Sequence, residues 1–245
     1  MPHTGLTPAT GNPVCYFWSG ESIRSRGIGG VVLQGTVDIP ALPPRLQADW
    51  SRDIAQHVGL EPGDVDSLSL ARARMRWPNY TLCTDALAQW MRGFGLQDVL
   101  VTSEVALMAC RGARYHHDAM QYGAAAFCNL FLSEDKGFDL HFPMAGVRIP
   151  LRRGTAVVFD TGQPHAVIPR TSRGFDAGDF PDGQDCDVVF LTWELAISHP
   201  SVSQALRIAF DVDPATASVS REPGIRVGGK SVGVCPRLGG WTLAP

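Results

Sequence analysis

The sequence predicts a mainly β chain with flanking helices around a jelly-roll core, and three observations carry that expectation. From Val99 onward short apolar runs are separated by turn residues. The runs are enriched in Val, Phe, Leu and Thr, with Gly and Pro at the breaks. They number seven: Leu100 to Cys110, Ala124 to Leu132, Phe138 to Phe142, Val147 to Leu151, Thr155 to Phe159, His165 to Pro169 and Cys186 to Trp193. Seven runs fit a jelly roll of about eight strands, with helices from the N-terminal third packed on one sheet.

In chain order, two strand-like runs (Val14 to Trp18 and Gly30 to Ile39) follow a Pro/Gly-rich start. Pro44 to Leu60 reads as a helix, with proline in its first turn, Leu46, Trp50, Ile54 and Val58 at helical spacing, and Gly59 at its end. A second helix is expected over Thr84 to Met91, with Thr84 as cap and Gly93 as stop. A short helix over Val202 to Phe210 precedes a Gly-, Pro- and Ser-rich tail from Asp213, which reads as a loop or a loosely attached extension. There is no internal repeat. The expected division is 1–98 for strands and helices packing on the core, 99–195 for the jelly-roll core, and 196–245 for a helix and extension, all within one domain.

Composition narrows the function class. The 245 residues are 44% hydrophobic and 18% charged, ordinary for a globular protein with a core that needs no disulfides. A net charge of -3 argues against a nucleic-acid partner. The N-terminus lacks a basic, apolar leader and the apolar runs are too short to span a bilayer, so the expectation is a cytoplasmic protein with no membrane partner. The six cysteines are scattered, with no CxxC pair, and three sit in strand-like runs; reduced and buried is the better reading.

The chemistry concentrates in RYHHDAMQYG, beginning at Arg111's third neighbour Arg114, and in FDTGQPHAVIPR, beginning at Phe159. In an extended chain residues two apart point the same way, so His116 and Asp118 can share one ion while His117 faces away. His165 follows Asp118 by 47 residues, enough strands to cross a sandwich and return. Two imidazoles and a carboxylate on one face leave three positions open, which suits Fe(II) binding a cosubstrate and O2 together. Each residue has a plainer reading, since a lone HxD arises by chance and a lone histidine commonly packs. His141 competes as third ligand, but its apolar strand favours a structural role.

At these residues the sequence resembles the Fe(II)/2-oxoglutarate-dependent dioxygenases, whose core is a double-stranded β-helix of the jelly-roll, cupin-like kind. The likeness covers roughly Leu100 to Trp193: HxD, the strand AAAFCNLFLSED, the turn and strand KGFDLHFP, then RRGTAVVFDTGQPHAV with the distal histidine. It implies iron on His116, Asp118 and His165, 2-oxoglutarate as cosubstrate, and O2. It also implies a basic residue for the cosubstrate's distal carboxylate, which guanidinium binds through two parallel hydrogen bonds. Arg173, eight positions after His165 and in phase with it, is favoured over Arg170, five positions after; exposed loop arginine is the plain reading of either. Asn129 shares a strand face with Phe131 and is a candidate cosubstrate contact. The polar insertion GFDAGDFPDGQD departs from the family's pattern.

The implied reaction is hydroxylation of a C–H bond in a small-molecule substrate with release of succinate and CO2. Arg111, Arg114, Arg152 and Arg153 would form a basic rim for an acidic substrate, unless they only solvate the surface. Tyr115, Tyr122 and Trp193 are candidate pocket residues. The N-terminal segment and the loop Phe175 to Asp185 are the candidate lids. Two other classes stay open: a cupin-type metalloenzyme that uses no 2-oxoglutarate, and a jelly-roll binding module in which the HHD run is incidental.

Overall fold

A computed structural model describes residues 7–244 of the chain. It opens with β1 (Pro13–Ser19), β2 (Ser22–Gly27) and β3 (Val32–Thr36). Helix α1 (Pro44–Asp53) runs into a π-helical turn over Ile54–Val58, and β4 (Val65–Leu68) leads to α2 (Leu70–Arg74), α3 (Tyr80–Arg92) and α4 (Gln97–Thr102). Then come β5 (Val105–Arg111), β6 (Ala113–His116), α5 (Ala119–Tyr122), β7 (Ala125–Phe131), β8 (Phe138–Phe142), β9 (Val147–Pro150), β10 (Thr155–Asp160), β11 (His165–Pro169) and β12 (Asp187–Ala196). The chain ends with α6 (Pro200–Leu206), α7 (Pro214–Val219), β13 (Gly224–Val227), β14 (Lys230–Val234) and β15 (Trp241–Leu243).

Strands β5 to β12 form a double-stranded β-helix. One sheet has the order β3-β10-β7-β12-β5-β4 and the facing sheet β6-β11-β8-β9, with antiparallel neighbours throughout. The inner strands of the larger sheet, β10, β7 and β12, are buried on both faces along most of their length, which is why they read as apolar runs rather than as alternation. On β12, Leu191, Trp193 and Leu195 point to the helices, where they pack with Trp50, Leu87 and Met91. Val188 and Phe190 point into the barrel beside Phe131, Phe142 and Phe159. The period of two thus divides one strand between two cores.

The π-turn after α1 has a reason in its sequence. Leu46, Trp50, Ile54 and Val58 repeat every four residues, which outruns 3.6 residues per turn. Widening the last turn, with Gly59 N–H donating to the Ile54 carbonyl at 2.8 Å, keeps that stripe on the core. Gly59 then ends the helix at φ +62°.

Several expectations need correction. The second helix begins four residues before Thr84, which is interior and donates its hydroxyl to the Thr81 carbonyl; the buried stripe Tyr80, Cys83, Leu87 and Met91 sets its true length. Residues Leu100 to Thr102 are helix rather than strand, because Val99 and Leu100 are buried in the helical layer. The helix expected over Val202 to Phe210 is α6, ending at Leu206. The tail is no loose extension. Its β13 pairs with β1, opposing Arg226 to Val14, and the two chain ends build a sheet of order β15-β14-β13-β1-β2.

Strand β2, SIRSRG, gave no sequence signal because its most buried side chains are polar. Ser25 and Arg26 have no exposed surface. Arg26 NH1 donates to Asp160 Oδ2 at 2.6 Å, and both side chains are wholly buried. The six cysteines are free thiols, five of them buried, as expected.

Candidate metal centre

Strands β6 and β11 lie side by side with His116 directly opposite His165. Strand β6 ends at His116, and Asp118 occupies the N-cap position of α5 with φ -101° and ψ 0°. The sharing of one side by His116 and Asp118 therefore comes from the turn at the strand end, not from a continued extended strand. The Asp118 N–H donates to the Thr161 carbonyl at 2.8 Å, which ties this turn to the loop before His165. Thr161 Oγ1 sits 2.8 Å from the carbonyls of both Tyr122 and Ala125, clamping the other end of α5.

The three side chains converge. His116 Nε2 lies 3.5 Å from Asp118 Oδ1, and His165 Nε2 lies 3.5 Å from Asp118 Oδ2. Each imidazole is also oriented from behind. His116 Nδ1 is 2.7 Å from the Arg114 carbonyl and His165 Nδ1 is 2.9 Å from the Gln163 carbonyl. A carbonyl can only accept, so each Nδ1 carries the proton and each Nε2 keeps its lone pair toward Asp118. Outer hydrogen bonds of this kind are what fix the tautomer and basicity of metal-binding histidines.

Electrostatics agree with that geometry. Burial, helped by neighbouring His116, holds His165 well below the usual histidine range, so it is neutral at physiological pH. Burial raises the Asp118 carboxyl, opposed by His116 and His117. A cation between the three would offset the burial of that carboxylate. Among the described residues, these three form the one histidine–carboxylate group spaced to hold a metal ion, with ligand atoms within 4.8 Å of one another.

His117 turns away, as expected, and packs near Trp241 with ring centroids 5.6 Å apart. His141 is not a ligand candidate: its Nδ1 is hydrogen-bonded to the Tyr115 hydroxyl. Tyr115 is thus occupied, Trp193 faces the helices, and Tyr122 alone of the three expected aromatic residues lines the cavity inside the barrel.

That cavity, of about 270 Å³, opens on the His116–Asp118–His165 wall. Its far wall belongs to β7 and β12, with Asn129, Phe131, Phe190 and Thr192; Met108, Phe127, Leu140 and Phe159 add apolar surface. Asn129 and Thr192 are direct cross-strand partners. Thr192 was not singled out by the sequence; its pairing with Asn129 depends on register.

Neither expected arginine reaches this cavity. Arg170 Nε donates to Asp139 at 3.0 Å and its NH2 to Asp135 at 3.0 Å. Arg173 is exposed and does not line the cavity. The phase argument assumed a regular strand, but β11 ends at Pro169 and both residues lie beyond it. The basic rim also disperses. Arg111 is buried, donating to Asp187 and to the Pro181 carbonyl, and Arg153 donates to Glu134 and to the Ile39 carbonyl. Arg152 is exposed and away from the cavity lining. Arg114 alone borders the outer groove, where Asp64 and Asp66 accompany it.

The loop Phe175 to Asp185 is pinned rather than free: Phe175 and Phe180 are buried and stacked at 5.6 Å, and Phe180 stacks on Phe138. The first six residues of the N-terminal segment, the other candidate lid, lie outside the described residues.

No family model matches the chain. No curated protein matches it either. Solved structures do. A prolyl-4-hydroxylase from Pseudomonas putida superposes with 18% identity and a TM-score of 0.39, over 69% of this chain and 93% of that one. The non-heme alpha ketoglutarate dependent carbocyclase SnoK from nogalamycin biosynthesis does so with 12% identity and a TM-score of 0.38, over 69% and 79%. EvdO2 from Micromonospora carbonacea var. aurantiaca, solved in complex with 2-oxoglutarate, gives 16% identity and a TM-score of 0.38, over 59% and 71%. At such scores nothing of their activities passes to this chain. Its double-stranded β-helix stands on its own strand order, and its strand ends bring two histidines and an aspartate together at the mouth of that barrel.

Proposed function

We propose that this chain is a mononuclear non-haem Fe(II) oxygenase of the 2-oxo-acid-dependent type, hydroxylating a C–H bond of a small-molecule substrate. One observation carries the reading: two imidazoles, each held by a backbone carbonyl in the Nδ1–H tautomer, aim Nε2 at the same carboxylate on the wall of the barrel cavity. The donor set fits Fe(II), with imidazole and carboxylate on one side and open positions toward the cavity. Iron bound there would supply the dioxygen chemistry. His116, Asp118 and His165 would hold it, while Phe127, Phe142 and Phe159 keep the surroundings apolar.

The cosubstrate implied by the resemblance, 2-oxoglutarate, fits less well. Its chelating end suits the open iron positions, but among the described residues no lysine or arginine lines the cavity to meet its far carboxylate. That mismatch also favours a second reading, a cupin-type metalloenzyme that needs no 2-oxo acid.

Metal analysis and oxygen uptake test the proposal. Purified protein is expected to retain one iron per chain, lost in His116→Ala, and to consume O2 only when a 2-oxo acid is supplied. Equal iron in both proteins would sink the metal assignment. Oxygen uptake independent of any 2-oxo acid would favour the cupin reading.

A further inference from the structure

Opposite the metal wall the cavity is lined by Asn129, which is buried, and Thr192, which is half-buried, and each carries a buried oxygen without a partner among the described residues. Asn129 is 6% exposed, yet its Oδ1 has no hydrogen-bond partner among the described residues. Thr192 Oγ1, on the paired strand, is likewise buried and unpartnered. Buried polar groups are nearly always satisfied, so a neighbouring pair of exceptions on two residues that line one cavity points to a ligand that turns these side chains toward it and completes them.

The charge around them limits what that ligand can be. Beyond the three metal-wall residues, the ionisable groups lining the cavity are Cys110, Tyr122 and Glu194, none of which is a cation. Burial pushes the Cys110 thiol up to about 12, so it is neutral. Nearby guanidinium groups are committed elsewhere: Arg170 to Asp135 and Asp139, Arg111 to Asp187 and two carbonyls, Arg148 to the carbonyls of Arg170 and Ser172, and Arg114, in the outer groove that His116 and Asp118 also line, to the Pro62 carbonyl and Asp64. The inward positions of β12 are Val188, Phe190, Thr192 and Glu194, so the strand that closes the barrel presents no basic side chain to its interior. A carboxylate buried against Phe131, Phe190 and Leu140 would lose its hydration with only neutral dipoles in return.

We infer that this cavity is built for a 2-oxo acid whose far end is uncharged and polar, held by Asn129 and Thr192, and that it disfavours the dianion 2-oxoglutarate. The inference rests on the reading of the site as a 2-oxo-acid-dependent iron centre. An amide donates and accepts, and a hydroxyl does the same, so Asn129 and Thr192 can satisfy an ester, amide or alcohol terminus without a counter-ion.

The test is an anaerobic titration of the Fe(II)-loaded protein with 2-oxoglutarate and with its 5-methyl monoester, following the metal-to-ligand absorption of the chelate. The two probes differ little in shape but by one charge. The monoester is expected to bind at least about tenfold more tightly, because the second carboxylate has no cation to offset its burial. Asn129→Leu, close in volume, is expected to weaken the monoester by roughly tenfold while iron content stays the same. Binding of 2-oxoglutarate as tight as or tighter than the monoester overturns the inference and leaves the iron reading standing. Iron retained with no absorption change from either acid overturns both the inference and the 2-oxo-acid reading.

Discussion

The two walls of the barrel cavity are built on opposite principles. The wall at the ends of β6 and β11 gathers His116, Asp118 and His165, with both imidazoles oriented by backbone carbonyls and the Asp118 turn held by Thr161, and brings their ligand atoms within 4.8 Å of one another. The wall on β7 and β12 is mostly apolar and carries no cation, with Phe131 and Phe190 flanking Asn129 and Thr192 and Glu194 as its one ionisable strand residue. A cation is prepared for on one side, and no second anionic group is prepared for on the other. The chain is able to bury a guanidinium, since Arg26 and Asp160 form a fully buried pair just outside the ligand loop. Its absence from the cavity lining is therefore a property of that wall and not a general avoidance of buried charge.

Breaking the metal wall should have the largest effect. Asp118→Ala is expected to reduce iron affinity by more than about 100-fold, since even the outer partners of metal ligands are worth roughly 10–100-fold. Equilibrium dialysis against Fe(II) measures it; a change under tenfold would show that the two histidines suffice without the carboxylate.

The next effect comes from the support behind that wall. Asp160 accepts hydrogen bonds from Arg26, Gly29 N–H and Gly162 N–H, and so shapes the turn that carries Thr161 and leads to His165. Arg26→Met leaves this carboxylate buried without its counter-ion, and should cost about 3–5 kcal/mol in urea unfolding. The double variant Arg26→Met with Asp160→Asn should recover much of that loss. If the single substitution is silent, the ion pair does not organise the turn.

Packing below the cavity is a smaller test. Gly112 sits at φ +66°, and a Cβ there would run into the Phe180 ring. Gly112→Ala is expected to destabilise by about 1–3 kcal/mol through overpacking and left-handed backbone strain. Stability at the level of the parent would mean that the Phe175–Asp185 loop lifts away without cost, as a lid would.

The smallest effect sharpens the comparison from the other side. Arg173→Ala should leave both iron content and 2-oxo-acid affinity unchanged within about twofold, as surface substitutions remote from specific contacts generally do. A large loss of 2-oxoglutarate binding in that variant would bring the exposed arginine back as a cosubstrate anchor and refute the account of a wall without a cation.

What the sequence determined alone was the set of features whose chemistry is local. HxD before a turn, and a histidine after FDTGQP, mark candidate ligand positions because imidazole and carboxylate are the side chains that can hold an ion there. Seven apolar runs mark an eight-stranded jelly roll because a sheet buried on both faces must be apolar throughout. The tertiary structure decided everything that depended on facing and pairing. Whether Arg170 or Arg173 entered the cavity turned on where β11 stopped, which a phase count cannot see. Thr192 joined Asn129 only through cross-strand register. The tail became a sheet because β13 found β1 at the other end of the chain, and β2 was hidden because the partner that makes Arg26 buriable, Asp160, lies 134 residues away. Side-chain type is written locally, whereas the neighbour that gives a side chain its role is set by the closing of the fold.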